Sequence, residues 1–174
     1  MEERVILVNE QDEEIGEEEK IEAHKKGLLH RAFSLFLFNS KKEMLLQRRA
    51  LTKYHCGGLW TNACCSHPRK GETLEEAVRR RIVEEFGFSC PDIRYLFSFI
   101  YRAELDHGMI EHEYDHVFVG QYDKEEITPN PDEIMDFRYV SLDQLNREIL
   151  EHPESYTPWF KLKWEAVGRS CLDS

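Results

Sequence analysis

Apolar positions along the chain follow two periods, and the switches between them mark the elements. "VILVN" (Val5 to Asn9) predicts a short strand, and "RAFSLFLFN" from Arg31 to Asn39 predicts a stronger one, aromatic and closed by a polar turn. "MLLQRR", Met44 to Arg49, completes a hairpin with it. The period then lengthens. In "GETLEEAVRRRIVEEFGF", Leu74, Ala77, Val78, Ile82 and Phe86 recur at helical spacing, Thr73 can cap the start and Gly87 can end the helix. "IRYLFSFIYRAEL" and "EHEYDHVFVGQY" flank the turn-like "DHG" and predict a long antiparallel pair. After a loop rich in Pro and Asn comes one more strand, "DFRYVS". Two helices close the chain: "SLDQLNREIL" with its Ser cap, and "SYTPWFKLKWEAVG", where Pro158 suits a first turn. Strands around one central helix, with helices after them, predict an α+β sandwich.

Composition narrows the setting. A chain of 174 residues fits one domain, 1–174, large enough for a real core, and it shows no internal repeat, low-complexity tract or Pro/Gly/Ser linker. Its one compositional block, "EQDEEIGEEEK" (Glu10 to Lys20), reads as a solvated acidic turn. The net charge of −11 argues against nucleic acid or an anionic membrane as partner. An anionic substrate would need a local basic cluster. Five cysteines, a start without a basic n-region and apolar core, and no apolar run of membrane-spanning length predict a cytoplasmic protein with reduced thiols.

Several short stretches carry candidate chemistry. In "NACCSHP", strand alternation would turn Cys65 and His67 to one face and Cys64 to the other. On the central helix Arg81 and Glu85 are i,i+4 neighbours, either a surface ion pair or a guanidinium and carboxylate suited to a diphosphate with its divalent cation. In "EHE", Glu111 and Glu113 share a face opposed to His112; an exposed edge strand would tolerate them equally. His24 and His30 lie upstream in "AHKKGLLH". Three histidines with two carboxylates would form a mixed nitrogen and oxygen shell for octahedral Mn or Mg, or five-to-six-coordinate Zn, rather than a tetrahedral structural site. Lys20, Arg48, Arg49 and Lys53 are the basic residues able to grip an anion. Tyr101 and Trp159 are core residues by default, although a ring face can also stabilise a cation.

With these residues gathered, the sequence resembles the Nudix superfamily. The signature (Gly, five residues, Glu, seven residues, Arg-Glu, apolar, any, Glu-Glu, any, Gly, apolar) falls on Ser66, Glu72, Arg80, Arg81, Ile82, Glu84, Glu85, Gly87 and Phe88. Two positions depart from it: Ser66 replaces the opening Gly, and Arg81 replaces a Glu that Nudix hydrolases use in the metal group that activates water. "AHKKGLLHRAFS", "RRALTK", "LWTNACCSHP", "IEHEYD" and "TPWF" are similar to the signals of one family within it, the type 1 isopentenyl diphosphate isomerases.

That resemblance implies a Nudix-type α/β/α sandwich with a mixed sheet and a central Nudix helix, its core spanning about 30–150 and a C-terminal helix about 154–170. It implies conversion of isopentenyl to dimethylallyl diphosphate by protonation at C4 and deprotonation at C2, through a tertiary carbocation. Cys65 and Glu113 would be the catalytic pair, with Tyr101 assisting beside Glu113. His24, His30, His67, Glu111 and Glu113 would hold one divalent metal, Mn²⁺, Mg²⁺ or Zn²⁺. Glu85 and the Cys65 carbonyl would hold a Mg²⁺ ion bridging to the diphosphate, which Lys20, Arg49, Lys53 and Arg81 would bind, with Trp159 over the isoprenoid carbons. Glu113 with Tyr101 is expected to protonate and Cys65 to deprotonate; the reverse assignment satisfies the same residues. The alternatives are a Nudix pyrophosphohydrolase, against which Arg81 argues, and a non-catalytic relic of the fold, which would carry a broken constellation.

Overall fold

β3 (His30–Phe38) is the strand on which the architecture turns. The structure, a computed structural model, describes residues 3–53, 55–123 and 126–172, with side chains to 170, so the expectation of a reduced thiol at Cys171 lies outside it. On one side β3 runs parallel to β8 (Ile110–Gln121), with His30 opposite Glu113 and Phe36 opposite Val119. On the other it is antiparallel to β6 (Cys64–Ser66), with Ser34 opposite Cys65. Outward from β8 lies β7 (Ile93–Glu104), the expected antiparallel partner, joined to it through a single 3-10 turn at Asp106–Gly108. β1 (Arg4–Val8) touches β3 at Leu7 and His30. β4 (Met44–Arg49) pairs with β5 (Trp60–Thr61) and β9 (Ile134–Val140).

Helices cover both faces of this mixed sheet, which is why β3 reads as an almost unbroken apolar run. Phe33, Leu35 and Leu37 face α2 (Leu74–Phe86) and pack on its Ala77, Val78, Ile82 and Phe86. Phe36 and Phe38 face the opposite way, onto Tyr156, Phe160, Trp164 and Val167, in or beside α4 (Pro158–Leu172), and onto Leu145 of α3 (Leu142–Glu151). Each such buried aromatic or aliphatic side chain contributes about 1.5–3 kcal/mol relative to exposure. The ends of α2 follow the sequence reading. Thr73 and Glu76 form a reciprocal capping box, and Gly87 closes the helix at φ 74°, where an added Cβ would lie 2.7 Å from the Thr128 carbonyl oxygen.

Three expectations are corrected. The acidic block is not a solvated turn throughout: Glu14–Glu19 is an edge strand, β2, paired along β1. An edge strand holds its backbone bonds on one side, and its glutamates are exposed or half-buried with Glu17 and Glu18 paired to Lys70 and Lys26, so like charges do not prevent it. The β3–β4 hairpin closes through one residue pair, Phe38 and Met44, because β6 and β8 already occupy the flanks of β3. "EHE" is not on an edge, since β8 lies between β3 and β7. A short helix that periodicity did not announce, α1 (Lys20–Lys26), ends at Gly27 and carries His24 inward.

Candidate active site

The sheet face beneath α4 is apolar at one end and polar at the other. Alternation along β3 and β8 continues the Phe36, Val117 and Val119 face into Ser34, His30, Asp115, Glu113 and Glu111. Register brings Tyr101 of β7 beside Glu113 and Cys65 of β6 beside Ser34, on the same face. His67, two residues after Cys65, reaches the same cluster, as the sequence reading expected. Cys64 points to the other side and its thiol donates to Glu85 Oε2 at 2.9 Å.

His24, His30, His67 and Glu113 are all buried, with ligand-type atoms within 4.8 Å of one another. The Lys20 carbonyl lies 2.8 Å from His24 Nδ1 and the Leu28 carbonyl 2.9 Å from His30 Nδ1. A carbonyl only accepts, so both Nδ1 atoms carry hydrogen, and each Nε2 faces inward, as a lone pair when its ring is neutral and as a donor when the ring is protonated. There His30 Nε2 meets His67 Nε2 at 3.2 Å and Glu113 Oε2 at 3.2 Å, while His67 Nε2 meets the same oxygen at 3.1 Å. These converging ring nitrogens and a carboxylate could hold a metal, and a divalent ion with nitrogen and oxygen ligands fits that donor set. Glu111 stands next to this group, with Oε2 3.8 Å from His24 Nε2.

Tyr101 bridges the two carboxylates. Its hydroxyl lies 2.7 Å from Glu113 Oε1 and also contacts Glu111 Oε1. Burial raises Glu111, reinforced by the neighbouring Glu113 charge. Burial acts on Glu113 in the same direction, but hydrogen bonds from His30 and His67 outweigh it and hold this carboxyl well below the usual range. Cys65 Sγ lies 3.1 Å from Asn62 Oδ1 and 3.5 Å from Ser34 Oγ. Burial pushes its thiol up to about 11, with Lys163 opposing.

Lys20, Arg49, Lys53 and Arg81 line one small cavity of about 50 Å³ together with Cys65 and His67. This is the local positive cluster that the net charge called for. Two carboxylates occupy it as internal counter-ions: Glu3 pairs with Lys20, and Glu133 with Lys53 and, at 3.4 Å, with Arg81. Arg81 and Glu85 form their i,i+4 pair at 3.1 Å, and it is not a surface pair, since both side chains are largely buried. Gln47 donates to Glu85 Oε1 at 3.0 Å, leaving that oxygen a lone pair for a hard cation. Arg48 turns elsewhere, to the Gly58 carbonyl. A cavity of about 460 Å³ between Asn39, Arg94 and Gln121 is lined by none of these groups.

Trp159, at the start of α4, is buried, with the Arg49 guanidinium 5.2 Å from its ring centroid. One turn on, Lys163 is buried against Asp115 at 2.5 Å and against Ser34. Sequence reasoning missed this pair, yet it left a signal: a lysine at the apolar phase set by Trp159, Phe160 and Val167. It also missed His55, buried between Arg49, Trp159 and Glu111 in a turn with no periodicity to mark it. Burial and the Arg49 charge lower His55 to about 2, so its imidazole is neutral.

A NUDIX domain family model matches residues 28–161. The chain is 53% identical to the isopentenyl-diphosphate Delta-isomerase 2 of Photorhabdus laumondii, over 92% of this chain and 90% of that protein. Its identity to the isopentenyl-diphosphate Delta-isomerase 2 of Aromatoleum aromaticum is 48%, over 99% of this chain and 86% of that one. In fold it is similar to the crystal structure of DR0079 from Deinococcus radiodurans, with a TM-score of 0.76, 97% of this chain and 99% of that chain covered, and 23% identity. Matched by the family model over most of its length and by relatives about half identical from end to end, the chain belongs to the NUDIX domain family and, within it, to the isopentenyl-diphosphate Delta-isomerases.

Proposed function

We propose that this chain, acting as one domain in the cytoplasm, moves the double bond of isopentenyl diphosphate to give dimethylallyl diphosphate, with Cys65 and Glu113 as the proton-transferring pair. The observation that carries the reading is their placement on strands flanking β3, Cys65 on β6 and Glu113 on β8, on one face of the sheet with the basic cavity beside Cys65. Isomerisation needs one proton given at C4 and one taken from C2. Burial favours the protonated form of Cys65, while His30 and His67 favour the ionised form of Glu113. The sequence reading has Glu113 as the acid, and the reverse assignment satisfies the same geometry. Tyr101 hydrogen-bonds Glu113 and holds the carboxyl in place in either protonation state.

Lys20, Arg49, Lys53 and Arg81 bind the diphosphate. Arg81 stands where Nudix hydrolases have a metal-binding Glu, so a guanidinium, paired with Glu85 and Glu133, replaces that carboxylate. Trp159 offers its ring face to the developing cation and excludes water. His24, His30, His67, Glu111 and Glu113 would hold one divalent ion, Mn²⁺, Mg²⁺ or Zn²⁺, and Glu85 with the Cys65 carbonyl would hold Mg²⁺. Such ions, when bound, fix the carboxylates and neutralise diphosphate charge.

Cys65→Ala and Glu113→Gln test the assignment. Each is expected to lower kcat by about 10²-fold or more, the scale of a lost general acid or base, with the thermal unfolding of Cys65→Ala near that of the parent. Turnover within threefold of the parent in either variant would overturn the role of that residue.

A further inference from the structure

Cys56, buried between β4 and β5, has φ 52°, a conformation that a residue with a Cβ rarely adopts. Its backbone N–H donates to both carboxylate oxygens of Asp106, at 2.9 and 3.2 Å. Asp106 belongs to the 3-10 turn that joins β7 to β8, and its other charged neighbour is the exposed His107 at 3.6 Å. The backbone after Cys56 has little room to shift. A Cβ on Gly57 would lie 2.8 Å from the Leu51 carbonyl oxygen, and Gly58 takes φ 83°.

The stretch 55–59 serves both halves of the site. The Cys56 side chain shares one small apolar cluster with Tyr101 and Trp159, against which Leu59 and Cys65 are packed. One residue before it, the His55 carbonyl accepts from the Arg49 guanidinium at 3.1 Å. Two residues after it, Gly58 N–H donates to the Arg49 carbonyl at 2.8 Å, and Arg49 N–H donates to Leu59 at 2.9 Å. Arg49 lines the basic cavity beside Cys65. Cys65 and Glu113 stand instead on β6 and β8, each paired along β3.

We propose that Asp106 is a positioning residue: by holding the Cys56 N–H it pins the stretch 55–59 to the β7–β8 turn, and so keeps Cys56 beside Trp159 and the Arg49 guanidinium turned to the diphosphate. This rests on the isomerase and diphosphate reading above. Loss of the bond loosens the groups that hold substrate and leaves the proton-transferring pair on its strands. Substrate binding therefore falls, while turnover at saturation is retained.

Asp106→Ala removes the acceptor, and Asp106→Asn keeps a neutral, weaker one. With no substrate present, the Cys56 amide should exchange with D₂O about tenfold faster in Asp106→Ala than in the parent, the scale of a hydrogen bond to a charged group, while the amides of β3 and β8 keep their rates. An increase below threefold would overturn the clamp. In steady-state isomerase assays, KM for isopentenyl diphosphate should rise about 5–10-fold in Asp106→Ala with kcat within twofold, a smaller effect than in exchange because substrate contacts help to order the stretch. Asp106→Asn should show both changes in smaller measure. A KM rise below threefold, or a kcat that falls as far as kcat/KM, would overturn the positioning role. A parent without isomerase activity would remove the function proposed above and this role with it, and the exchange rates would then decide the clamp alone.

Discussion

Lys163→Met leaves the Asp115 carboxylate buried in the sheet with only Ser34 beside it. In the parent, Asp115 is fully buried and accepts from Lys163 Nζ at 2.5 Å and from Ser34 at 2.9 and 3.0 Å. Burial pushes the Asp115 carboxyl up, and the Lys163 charge is the main force opposing it. Removing one member of a buried ion pair costs about 3–5 kcal/mol, because the other is left uncompensated. For a chain of this length each kcal/mol shifts Tm by about 2–4 °C, so the variant should melt about 6–20 °C lower. Adding Asp115→Asn removes the orphaned charge while keeping a polar partner for Ser34, and should recover most of the loss. Urea unfolding of the parent, the single variant and the double variant reads these values directly. A Lys163→Met variant within 1 kcal/mol of the parent would refute the reasoning. So would a double variant no more stable than the single one.

Glu3 pairs with Lys20 inside the basic cavity, so an incoming diphosphate must displace a carboxylate already there. Glu3→Gln should therefore lower KM for isopentenyl diphosphate with kcat within twofold, measured by steady-state kinetics; an unchanged or raised KM would contradict this. Acid stability should depend on His67, which burial lowers to about 4. The unfolded chain takes up a proton near pH 6.5 that folded His67 refuses until about pH 4. The His67 contribution is therefore full above pH 6.5 and is lost as pH falls toward 4, by about 3 kcal/mol. His30 is raised and works with the opposite sign, so the comparison is between the parent and His67→Gln in EDTA: unfolding free energies should fall less steeply below pH 6.5 in the variant, and parallel curves would contradict the assignment.

The parts of the molecule legible in the sequence are those where one local rule suffices. Helix α2 has apolar periodicity, a capping box and a terminal glycine in agreement. The alternation of Glu111, His112 and Glu113 places the two carboxylates correctly because a strand has only two faces. Local rules fail where pairing is decided at a distance. Glu14–Glu19 is a strand only because β1 pairs with it, and glutamate has little preference of its own for that state. The seven residues of α1 are too few to be helical alone, so its existence depends on packing against the strands around it. Within the site, the convergence of His24, His30 and His67 from a helix, a strand and a loop cannot be read from spacing; resemblance to a family supplied that grouping. His55 belonged to neither source. It sits in an irregular turn, and its place follows from the grip of Arg49.

The reaction itself is tested most directly by incubating the protein with isopentenyl diphosphate and Mg²⁺ in D₂O, following the isoprenoid and phosphorus signals by NMR. Dimethylallyl signals carrying deuterium, with the diphosphate intact, are the expected result. Inorganic phosphate or a monophosphate appearing while the double bond stays in place would contradict the account.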